Sequence, residues 1–250
     1  MSTLFKLNDC FGNLDVPSNY KWDMKIDDKY FIGDVEDDRL FEALSKSGQK
    51  AAMACALMVF EGIVLRVAKD TDLLDMPQWL EALWAGTLNP VYIKNWDCDY
   101  DKFSMTADQE IGPLAASISI LSYAMKHYTK RTYYLHNKFV KLFMLFRHIT
   151  PNRKTFDNWL SATLKKMVDI SPCPYSYDDL DGNTKAIYDS AEEITLPRGF
   201  FINPDYVYTE SLEKEELRQF LKSLDYRNNP YLSSPDEMLS NGFVGEPYNL

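Results

Sequence analysis

The chain has 250 residues, 46% of them apolar and 26% charged, and a net charge of −10. That much apolar material sustains one sizeable core and excludes the class of chains too polar to fold. The longest apolar block, Ala51–Phe60, is too short to cross a bilayer, and Met1–Cys10 lacks the apolar run of a secretory signal. The expectation is a cytoplasmic protein with no membrane association.

Residues 1–33 read as an irregular arm, punctuated by Gly12, Pro17, Asn19 and Gly33 and pinned by Tyr20, Trp22, Tyr30 and Phe31. Asp34 then reads as a helix N-cap, with Glu36, Asp37 and Asp38 in a first turn where the helix dipole favours acids. That helix is expected to end near Leu44. Gln49–Lys69 is the most hydrophobic segment, and within it Ala51–Phe60 is apolar on every face, so it belongs in the middle of a bundle. Asp75, Pro77 and Gly86 bracket another helix carrying Trp79, Leu80, Leu83 and Trp84. Residues 87–110 form a connector rich in Asp and aromatics.

Ile111–Phe156 contains no Asp or Glu, yet it holds all three histidines and eight cations: Lys126, Lys130, Arg131, Lys138, Lys141, Arg147, Arg153 and Lys154. The other residues therefore carry −18. From Leu114 to Ile149 apolar residues recur at steps of three and four, which predicts one long helix or two that bend near Thr129–Thr132. Lys126, Lys130, Arg131, Lys138, Lys141 and Arg147 fall off that stripe and are expected to face solvent. Thr155 reads as the N-cap of a helix through Val168. Beyond it lie loops with a short helix near Thr184–Glu193, an extended strand or lid at 200–207 and a helix from Ser211. A capping box, Ser234 with Glu237, and Gly242 mark one last turn of helix.

The expected fold class is mainly α: a single multi-helix bundle of about seven to nine helices over 1–250. It comprises the arm at 1–33, a helical core at 34–168 and a loop-rich C-terminal third from 169 to 250. The helices starting at Gln49 and Leu114 should form its centre.

Chemical signals are sparse. Cys10, Cys55, Cys98 and Cys173 lie far apart without C-x-x-C spacing, which predicts thiols rather than disulfides or zinc ligands. His127, His136 and His148 are spaced by nine and twelve residues, not as ligands on one helical turn, and are expected on a solvated or partner-facing surface. Asp97, Asp99 and Asp101 alternate as in a calcium loop, but Lys102 stands where the sharp turn needs Gly, and Asp108 replaces the closing Glu. An acidic solvated loop is the simpler reading. Asp178, Asp179 and Asp181 need no more than turn chemistry. Glu61 sits within the all-apolar helix, where a carboxylate needs a partner, and a structural ion pair with a cation of the basic segment is expected. No nucleophile elbow, phosphate loop, dinucleotide fingerprint or zinc-protease motif occurs. No cofactor and no metal site is predicted.

The functional expectation is a binding protein without catalysis of its own. Eight acids lie between Asp23 and Glu42. Asp34, Glu36, Asp37 and Asp38, together with Asp97, Asp99 and Asp101, are the candidate contacts for a basic protein partner. Carboxylate-rich surfaces plug the basic clefts of enzymes that act on nucleic acids. By that analogy of composition, a bacterial immunity-type inhibitor of a toxin enzyme fits. The alternatives are an enzyme with a helical cavity built on Glu61 or the Asp97 loop, and a nucleic-acid binder using the basic segment with its tyrosines. The acidity of the whole chain argues against nucleic acid.

Overall fold

A computed structural model describes residues 2–17, 19–67, 75–94, 106–130, 135–174 and 193–250. The helices are α1 (Ser2–Phe11), α2 (Met24–Phe31), α3 (Asp38–Ser45), α4 (Gln49–Val67), α5 (Met76–Leu88), α6 (Ile111–Tyr128), α7 (His136–Ile149), α8 (Arg153–Ile170), α9 (Arg198–Ile202), α10 (Glu210–Ser223) and α11 (Pro235–Ser240), with a 3-10 turn at Pro90–Tyr92. The described residues are mainly helical, 65% helix, and no strand occurs among them. Two isolated bridges, Ser47 with Pro172 and Ile93 with Leu232, tie connections together.

The centre is α4. Every residue from Gln49 to Ile63 is buried, as a helix apolar all round requires. Its run of alanines keeps the surface low, and α6 and α7 pack against it and against each other. The basic segment is thus two helices, not one. Layered outside are α1 and α8, which share an aromatic knot. The Phe11 ring meets Phe146 at 4.9 Å and Trp159 at 4.7 Å, both edge-on, the geometry that ring quadrupoles favour. No helix of the described residues is long and apolar enough to cross a membrane.

Several sequence expectations change. The 1–33 arm is not irregular: it contains α1 and α2. Asp23 caps α2 by accepting from the Ile26 N–H at 3.0 Å. Gly12 and Pro17 break the connection between the two helices rather than the helices themselves. Arg66 fixes that connection by donating to the carbonyl oxygens of Leu14, Val16 and Pro17 and, from Nε, to Ile149 on α7. The N-cap of α3 is Asp37, which accepts from the Leu40 N–H at 3.0 Å, not Asp34. The segment Phe200–Ile202 is the helix α9, not a strand or lid; Trp159 Nε1 donates to the Phe201 carbonyl at 3.0 Å. Among the described residues the helices number eleven, because short helices form where loops were expected.

Asn152 caps α8 one turn before Thr155, and Thr209 caps α10. The capping box of Ser234 and Glu237 forms as expected, and Gly242 follows α11 at φ +84°, a left-handed conformation that costs glycine little. The expected helix near Thr184–Glu193 falls almost entirely outside the described residues.

Candidate protein-binding surface

The eight acids between Asp23 and Glu42 are not one uniform field. Asp27 is fully buried: Trp22 Nε1 donates to it at 3.0 Å, and burial raises its carboxyl above the usual range. Asp23 caps α2 and pairs with Lys21 at 2.7 Å. Asp37 is occupied as the α3 cap. Glu42 pairs with Lys46 at 2.7 Å, which lowers its carboxyl. Asp28, Asp34, Glu36 and Asp38 remain: exposed, and without an ion pair among the described residues. Asp97, Asp99 and Asp101 lie outside the described residues.

Next to Asp38 in the chain, Asp37 and Arg39 line a groove of about 620 Å³ between α3, α7 and α8. Its wall is apolar, made by Leu40 and Ala43 of α3, Phe143 of α7, and Phe156, Leu160 and Leu164 of α8. The apolar residues of α8 follow the four-residue repeat of one helix face, a signal visible in the sequence. What the sequence does not reveal is that α3 leaves part of this face uncovered. A fork also lines the groove: Arg147 Nε and Nη2 donate to Asp157 Oδ1 and Oδ2 at 2.7 and 3.0 Å. Asp37 adds to the field that holds this guanidinium charged. An apolar floor with a charged rim is the anatomy of a protein interface.

The acidic helix α10 offers less. Glu210 pairs with Lys214 and Glu215 with Arg218. Glu213 accepts from the Tyr208 hydroxyl at 2.5 Å and the Thr195 N–H at 3.3 Å. Local pairing of this kind leaves little net field for a partner.

Glu61 has the structural ion pair expected of it, but not with the basic segment. Arg198, at the start of α9, places Nη2 2.8 Å from its Oε1, and Trp84 Nε1 donates to the same oxygen. The guanidinium lies over the Trp84 ring, 5.0 Å from its centroid, and faces Phe220 at 5.7 Å. Above it is a cavity of about 500 Å³ between α5 and α10, lined by Thr87, Thr195, Gln219 and Ser223 among others. No local pattern ties Glu61 to a residue 137 positions later.

The expectation that the stripe's cations face solvent is corrected at Lys141 and Arg147, and Lys138 is half-buried as well. Lys141 is buried and donates to the carbonyl oxygens of Gly33 at 2.8 Å and Phe31 at 3.3 Å. The turn after α2 covers it, and the stripe could not foresee that turn. Arg147 is half-buried on Asp157. Arg131 lies outside the described residues. The histidines also depart from expectation. His136 is buried against Phe41 and Phe139, and burial lowers its imidazole to about 4. His148 sits among the rings of Tyr20, Trp22 and Tyr30, with Nε2 2.8 Å from the Lys21 carbonyl. Among the described residues no three His, Cys, Asp or Glu side chains gather as metal ligands would.

No family model matches the chain, and no curated protein and no solved structure is significantly similar to it.

Proposed function

We propose that this is a non-catalytic binding protein whose acidic α3 edge engages a basic protein partner. An immunity-type inhibitor of a toxin enzyme is the form of that function the composition suits. The observation that carries the reading is that Asp34, Glu36 and Asp38 are exposed and unpaired among the described residues, in the chain that leads into α3, whose Leu40 and Ala43 line the groove with Asp37 just before them. Apolar anchors supply affinity at the centre of an interface, and rim charges supply steering and selectivity. A partner segment with a bulky apolar residue flanked by Lys or Arg fits both features. Asp97, Asp99 and Asp101 join the proposal on sequence alone.

A cytoplasmic location belongs to the same proposal. Cys10 and Cys55 are buried thiols, and burial pushes Cys10 up to about 11, so both are poor nucleophiles; unpaired thiols of this kind suit a reducing compartment.

The test separates rim from floor. The partner captured from the native cell is titrated against three forms: the wild type, the D34N/E36Q/D38N variant and A43W, which fills the groove without touching a carboxylate. Both variants should weaken binding, the first more at low salt and the second equally at all salt concentrations. Unchanged affinity in the charge variant would end the proposal.

A further inference from the structure

The acid-free segment disposes of its cations unequally. Lys141 is held by backbone carbonyls and Arg147 by Asp157. Lys126 and Lys130, at the C-terminal end of α6, and Lys138, in the first turn of α7, have no ion pair among the described residues. These three gather around two rings. Lys138 Nζ lies 4.7 Å from the centroid of Tyr123, and the Tyr123 and His127 rings lie 4.2 Å apart at 32°. Partial burial lowers the His127 imidazole below the usual range, and the three ammonium groups push it the same way. Tyr123 is 47% exposed.

Helix electrostatics accounts for only part of this cluster. Lys126 and His127 complement the negative end of the α6 dipole. Lys138 does the opposite: it stands at the positive end of α7, where the N-cap position is Leu135, whose side chain has no acceptor to offer. Like charges that close together, with a helix N-terminus adding to the same field, disfavour the isolated protein and favour an anion. The kind of anion follows from the side chains. Lysines act as point charges and suit phosphate oxygens, whereas planar carboxylates are best met by the arginine fork. Tyr123, about half exposed and tilted against His127, adds a π surface of the type on which bases stack.

We propose that Lys126, Lys130 and Lys138 with Tyr123 form a binding site for the phosphodiester backbone of single-stranded nucleic acid. This goes beyond the protein-partner reading and does not depend on it. The chain-wide acidity that speaks against nucleic acid limits the contact to a short stretch, about three phosphates, one for each lysine. Three displaced counterions make the dissociation constant rise roughly twenty-fold between about 50 and about 200 mM salt.

The test is fluorescence anisotropy of a labelled oligo-dT of about 15 nucleotides, with the full chain, at those two salt concentrations. The wild type should bind at the lower salt and show that loss at the higher. The K126Q/K130Q/K138Q variant, its melting temperature unchanged, should lose both the binding and the salt slope. Y123A should weaken binding about ten-fold while keeping the slope. K130Q alone, the mildest change, should already reduce the slope. The proposal is overturned if the wild type fails to bind at the lower salt, if the triple variant binds as well as the wild type, or if poly-glutamate of equal length displaces the oligonucleotide as effectively as unlabelled oligo-dT does.

Discussion

Glu193 caps the central helix from the far end of the sequence. Its Oε2 accepts from the backbone N–H of Lys50 at 2.7 Å and its Oε1 from that of Gln49 at 3.2 Å, while Lys50 Nζ reaches back to the Glu193 carbonyl at 3.3 Å. A buried helix start without acceptors leaves orphan donors, and here a carboxylate more than 140 residues away supplies them and answers the helix dipole. Replacing Glu193 with Ala should lower stability by about 2 kcal/mol, and Gln should recover about half of that. Urea unfolding followed by circular dichroism measures both. Equal stability of the Ala variant and the wild type would mean that the cap contributes nothing.

The Glu61–Arg198 pair makes a second prediction. Glu61 is 7% and Arg198 28% exposed at the side chain. Removing one member strands the other, so Arg198→Met should cost about 3 kcal/mol. The double variant with Glu61→Gln should be more stable than Arg198→Met alone. Chemical denaturation of the four forms gives the coupling directly, and simple additivity of the two changes would deny the pair.

His136 predicts a pH dependence. Its imidazole titrates near 6.5 when unfolded and near 4 when folded, because burial disfavours the cation. Between those values the unfolded chain binds the extra proton. Stability is therefore complete above pH 6.5 and falls as the pH drops toward 4. By pH 5 the loss should be about 2 kcal/mol. His136→Leu should flatten the stability curve between pH 6.5 and 5, where few carboxylates titrate. A curve with the same slope in the variant would assign the loss to other groups.

Gly112 makes a steric prediction. A Cβ there would lie 2.0 Å from Trp22 Nε1, the atom that donates to Asp27 and to the Thr106 carbonyl. Gly112→Ala should expel the indole, cost about 2 kcal/mol and shift tryptophan emission to the red. Unshifted emission would show that the site absorbs the methyl group.

The sequence made the centre of the molecule legible because one helix has no polar face. Residues Ala51 to Phe60 admit no other place than the middle of a bundle, and α4 occupies it. The start of α11 was equally plain, since Ser234 and Glu237 cap each other within one turn. Legibility failed where several equivalent signals compete. Asp34, Glu36, Asp37 and Asp38 are all acceptable near a helix start. Only the packing of Leu40 and Leu44 under α3 selects Asp37 as the cap. It also failed wherever a partner is distant in the chain: Arg198 for Glu61, Glu193 for Gln49 and Lys50, and the Gly33 carbonyl for Lys141. Of the candidate surface, the acids are visible in the sequence, whereas the groove lined by Leu40, Phe143 and Leu160 needs three helices that only folding brings together.

The most direct measurement is the association rate of the isolated partner, by stopped flow, over a series of ionic strengths for the wild type and for D34N/E36Q/D38N. If these carboxylates guide a cationic protein into the groove, the wild-type rate falls steeply with added salt, and the variant is slower and nearly flat. Two superimposable salt profiles would contradict the account.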